Sequence, residues 1–159
     1  MLPLWYLSVT IHVLSAILWV GGQAFMILAL MPALREPAHR AVARTMLVSS
    51  IHRYGRVSTV CLHLLALTGL FNLWFRTGFN LQSPVTHAGL TKAMLWLVLL
   101  AISLYHDKVL GKRTVEAWAR DPGGAETLAL RRKSMLLGRV GFLLAVLMVF
   151  LGMWIVRPV

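Results

Sequence analysis

Four apolar runs, near residues 4–34, 57–75, 90–110 and 136–156, constrain this chain more than any other feature. A helix needs roughly 20 predominantly apolar residues to cross the hydrocarbon core of a bilayer. Inside lipid each backbone N–H and C=O must find its partner within the protein, which long uninterrupted runs do by becoming helices. Four such runs occupy most of the 159 residues, so a single domain over 1–159 is expected, with no separate soluble part. Short connections favour antiparallel neighbours. The expected fold is therefore all-α, an integral membrane up-down four-helix bundle. Nothing basic precedes the first run, and it passes into Gly21-Gly22 without a small-residue cleavage site, so it is expected to stay as a span.

Charge sets the expected orientation. Thirteen of the sixteen lysines and arginines fall between the first and second runs (Arg35, Arg40, Arg44, Arg53, Arg56) or at and between the inner ends of the third and fourth. The latter set is Lys108, Lys112, Arg113, Arg120, Arg131, Arg132, Lys133 and Arg139. Basic residues stay on the side from which the chain is inserted, so two basic cytoplasmic loops are expected, with both termini outside a bacterial inner membrane. The same charge lies naturally against anionic headgroups, which makes the lipid bilayer the partner and removes the case for nucleic acid. Cys61 is the single cysteine and has no second thiol to pair with, so it is expected to pack as a small apolar residue.

Apart from Asp107, at the inner end of the third run, no aspartate or glutamate lies inside a run, which leaves histidines as the groups able to do chemistry there. Ionisable residues within a membrane usually have a functional reason. His12 shares a helical face with Ser15, Trp19, Gln23 and Met26, a spacing of three and four that turns one stripe into a bundle. A ligand role is weighed ahead of the plainer alternative, a buried histidine bonded to a neighbouring hydroxyl. His63 lies on a face with Arg56, Thr59 and Ala66, and the two readings balance. His106 closes a stripe through Lys92, Trp96, Leu99 and Ser103, and His87 stands at the opposite end of that helix; both are equally open. Counting helical rise, His63 and His106 fall at similar depth near the inner surface, and His12 with His87 nearer the outer one. His39 and His52 sit in the basic segment and are expected to be solvated.

Imidazoles on facing helices suit the two axial positions of haem iron. They equally suit copper, with the thioethers of Met26, Met94, Met148 and Met153 as soft co-ligands for the cuprous ion. No dense histidine or methionine cluster stands outside the runs, as a copper-capture segment would require, so the residues alone place haem first. The expectation is one or two b-type haems held by His12, His63, His87 or His106, with Arg53 and Arg56 available to the propionates. Such a protein would handle electrons or haem-pathway redox chemistry as a membrane oxidoreductase, with a quinone, a porphyrin or a redox protein as partner. Copper transport or resistance is the alternative, with His12, His63 and His106 as metal ligands. A cofactor-free structural or assembly subunit, a homo-oligomer included, is the third reading.

Several short motifs carry a family resemblance. His12 stands seven residues before Trp19-Val20-Gly21-Gly22, with Met31-Pro32 closing the run. Gly55-Arg56 leads to Thr68-Gly69, Lys92 opens the third run, and Gly138-Arg139 and Val156-Arg157-Pro158 mark the fourth. This pattern resembles the copper-resistance protein D (CopD) family, and the His and Trp spacing is also similar to that of the HemJ-type protoporphyrinogen oxidases. The first resemblance implies copper handling across the inner membrane. The second implies haem b and a redox step on a porphyrinogen. The stretch Met26 to Pro32 departs from the arginine- and tyrosine-rich helix exit of the HemJ group, and the interval from Lys92 to His106 is longer than that group has.

Overall fold

The computed structural model describes residues 2–34 and 36–156. Arg35 of the first basic segment and the closing Arg157-Pro158 lie outside them, as do the side chains of Arg40 and Arg44. The described residues contain helices and turns and no strand. Four helices are long and apolar enough to cross a membrane, and the chain is a multi-pass membrane protein. They are α1 (Leu2–Ala33), α2 (Arg40–Thr77), α3 (Pro84–Arg120) and α4 (Ala125–Val156). The all-α class expected from the apolar runs is what forms.

The helices outrun the apolar pattern. α2 starts seventeen residues before the run at 57, and α3 continues ten residues past 110. Alanine, arginine, lysine and glutamate are good helix formers, so Gly111–Arg120 stays helical after its apolar stripe ends. The basic segments between the spans are therefore largely helix.

Breaks fall where the backbone cannot continue. Gly78 ends α2 in the left-handed region at φ 57°, its N–H bonding the Trp74 carbonyl at 2.7 Å, the usual glycine stop. Pro84 then opens α3 at a first-turn position that tolerates proline. Between α3 and α4, the Asp121 carboxylate accepts from the Gly123 N–H at 3.2 Å, and Thr127 Oγ1 donates to the Asp121 carbonyl at 2.7 Å.

Two spans contain a wider π turn. In α1 it covers Met26–Leu30 and lies directly ahead of Pro32. Proline lacks an N–H and its ring presses on the carbonyl four residues back, so a locally widened turn relieves the conflict. In α3 the π turn is His106–Leu110, closed by the Gly111 N–H onto the His106 carbonyl. A Cβ at Gly111 would stand 3.1 Å from that carbonyl oxygen, so the glycine makes the closure comfortable.

The chain divides into two compact units. The first holds α1, α2 and α3 as far as Thr91; the second is Lys92–Trp154.

Candidate functional site: braced histidines in each unit

In the first unit α1 and α2 pack antiparallel along a polar seam. At one end Trp5 stacks on Phe75, with ring centroids 5.6 Å apart and planes within 14°. At the other, Trp19 is 3% exposed and donates from Nε1 to Ser58 Oγ at 2.8 Å. The Tyr54 hydroxyl donates to the Trp19 carbonyl, and the Tyr54 ring fills the space that Gly22 leaves open. Gly21 meets nothing within 4 Å. In the Trp-x-Gly-Gly motif, then, Trp19 and Gly22 are a packing device and Gly21 is not.

His12 occupies the middle of this seam. Its Nδ1 lies 2.8 Å from Thr68 Oγ1. The single Thr68 hydroxyl proton goes to the Leu64 carbonyl, so the Thr68 oxygen accepts from His12 Nδ1–H. A neutral imidazole has one N–H, and His12 Nε2 is therefore the nitrogen with the lone pair. The neighbouring hydroxyl weighed against a ligand role is thus present, and it fixes the tautomer that a ligand would need. Gly69 lets the ring lie close against α2, since a Cβ there would come within 3.3 Å of His12 Cε1. Two motifs far apart in sequence, His12 and Thr68-Gly69, are partners in space.

The remaining histidines of this unit are placed differently. His63 is exposed and donates from Nδ1 to its own helix, the Thr59 carbonyl at 2.7 Å. Arg56 and Thr59 on its face are exposed as well, so that stripe does not pack on α1. His87 is exposed in the first turns of α3. Arg53 and Arg56 are also exposed. His39 and His52 are exposed and bond the carbonyls of Ala33 and Val48. Cys61 is buried without a disulfide. Of the methionines in the spans, Met94 and Met153 are exposed, and Met26 and Met148 partly buried.

In the second unit His106 is braced on both sides. Nδ1 lies 2.8 Å from Asp107 Oδ1, and Nε2 lies 3.0 Å from Ser134 Oγ on α4. A carboxylate only accepts, so Nδ1 carries the proton and Nε2 accepts from the Ser134 hydroxyl. A Cβ at Gly138 would stand 4.0 Å from Nε2, an ordinary contact, so the ring lies beside this glycine without requiring it. Asp107 and Ser134 were not visible as partners in the sequence; Ser134 lies 28 residues away across the Asp121 turn.

Among the described residues no three His, Cys, Asp or Glu side chains come together as a metal-holding group. Haem makes a stricter demand, a porphyrin-wide slot beside an axial imidazole. The His12 ring lies against the α2 backbone at Gly69, and the His106 ring is wedged between Asp107 and Ser134. A groove of about 450 Å³ does run along α1 and α2, but Ser15, Arg56, Cys61 and apolar neighbours line it, with no histidine. Neither His12 nor His106 fits as an axial haem ligand within its own unit.

The family described as Copper resistance protein D matches residues 48–155. The chain belongs to that family. The CopD match takes in Thr68-Gly69, His63, His87, Lys92 and His106, and begins downstream of His12. A relative from Aquifex aeolicus (strain VF5), an uncharacterized protein, is 31% identical over 149 residues, 89% of this chain and 88% of the other. No solved structure matches the chain. CopD membership favours the copper reading over the haem reading that the histidine pattern alone puts first.

Proposed function

We propose that this chain is a copper-handling protein of the cytoplasmic membrane, with both termini outside, and that the cuprous ion is its cargo. Membership of the CopD family is the observation that carries this reading. The bracing of His12 supports it: the ring holds its proton on Nδ1, which leaves Nε2 as the coordinating nitrogen, whereas His106 would have to exchange the Ser134 hydroxyl on its Nε2 for the ion. Metal-binding histidines commonly have their other nitrogen fixed in this way. His12 is the primary ligand in this account, and His106 and His63 are further stations. Met26 lies fourteen residues from His12, about 21 Å by helical rise, so the two serve different positions of the ion. Sites of few ligands bind loosely, as a path requires.

The test is competition for cuprous ion between the purified chain and a chromophoric chelator, with total metal measured by mass spectrometry. The chain should retain copper, and His12→Ala should weaken retention at least tenfold. A preparation that holds no copper but shows a Soret band would return the haem reading to first place.

A further inference from the structure

Lys92 stands at the opening of the apolar run of α3, eight residues from Pro84 and so about 12 Å along the helix. Its side chain is partly buried, and the ammonium lies against α4, 2.7 Å from where a Cβ of Gly152 would stand. Any side chain at 152 would compete for that space. The described residues give Lys92 no hydrogen bond and no ion pair. The carboxylates of its unit are remote: Asp107 is fifteen residues further along α3, about 22 Å, and Glu116, Asp121 and Glu126 lie beyond it.

A second donor one turn away is also unmet. Trp96 Nε1 is buried without a hydrogen-bond partner, and residues four apart share a helix face. A buried donor left unsatisfied costs about 1–3 kcal/mol, and an intramembrane cation is expected to have a partner. Two donors without an acceptor on one face, against a glycine that makes room, call for the same complement: an oxygen carrying negative charge. Charge-assisted N–H···O bonds are the strong ones.

We propose that Lys92 and Trp96, with Gly152 as the floor, form a binding site for an anionic oxygen group, a carboxylate or a phosphate. Lys92 supplies the charge and Trp96 Nε1 the directional bond. The group belongs either to a soluble anion or to a phospholipid headgroup. This site is independent of copper at His12.

The test uses the full chain in neutral detergent with ¹⁵N-labelled tryptophan, following the Trp96 indole N–H, assigned by its loss in Trp96→Phe. Acetate, inorganic phosphate, dihexanoyl phosphatidylglycerol and, as the uncharged-overall control, dihexanoyl phosphatidylcholine are titrated in turn. A saturable downfield shift is expected with at least one anion. Acetate or phosphate alone would identify a soluble anion, and phosphatidylglycerol without phosphatidylcholine a lipid headgroup. Lys92→Met should weaken that binding at least tenfold and Lys92→Arg by no more than about threefold. Lys92→Met removes an unpaired charge from the span, so the variant is not expected to unfold. No shift with any probe, or the same affinity in Lys92→Met, would overturn the assignment.

Discussion

His12 and His106 are held in the same tautomer by different chemistry. In the α1–α2 seam the brace is a neutral hydroxyl, Thr68, whose own proton is committed to the Leu64 carbonyl. At His106 the brace is a carboxylate, Asp107, in a partly exposed setting at a π turn. Burying a charge in an apolar interior is far costlier than burying a hydroxyl with a partner. The deeper ring therefore takes a neutral anchor, and the ring among the basic residues of α3 takes a charged one. The two also differ in how their surroundings are fixed: a close approach at Gly69 for His12, a turn-spanning serine for His106.

The largest expected effect falls on the first region. Gly22→Val puts branched bulk into the Tyr54 ring, and overpacking of this kind costs about 1–3 kcal/mol. Gly21→Ala, facing open space, should change stability by less than about 0.5 kcal/mol. Unfolding in mixed micelles measures both, and equal losses would show that the seam is not where the motif acts. Next comes Thr68→Val, which removes the brace but keeps the shape. Losing the group that orients a metal-bound histidine typically costs 10–100-fold in affinity, so about tenfold weaker copper retention is expected, with little change in fold. Retention at the wild-type level would mean that Thr68 only packs. The smallest effect is expected from Asp107→Asn, since a partly exposed hydrogen bond from a neutral ring contributes about 0.5–1.5 kcal/mol. Its readout is the His106 ring nitrogen spectrum, which should show a mixed tautomer while stability stays within that range. A large loss of stability would erase the distinction between the two regions.

The apolar runs announced the four helices because run length in a bilayer leaves few alternatives. Helix propensity in Arg40–Arg56 and Gly111–Arg120 continues after hydropathy has fallen, so residues 38–56 and the stretch before the Asp121-Pro122-Gly123-Gly124 turn also read as helix from the sequence. The inward face of His12, Ser15 and Trp19 was legible from spacing alone, and both Ser15 and Trp19 are buried. The same spacing on α2 did not tell that His63 faces outward, because periodicity defines a stripe without saying which stripe packs. Thr68-Gly69 stood out as a motif, but its pairing with His12 depends on helix register, which no single segment encodes. The orphaned donors at Lys92 and Trp96 were visible as a stripe, and only the α4 backbone at Gly152 revealed what surrounds the ammonium.

The most direct test of the copper account is the imidazole ¹⁵N spectrum of the detergent-solubilised chain, recorded before and after one equivalent of cuprous ion. His12 should show a protonated Nδ1 and an unprotonated Nε2 before addition, and its Nε2 resonance alone should move sharply on binding. A His12 ring protonated at Nε2, or one unmoved while the chain takes up copper, would contradict it.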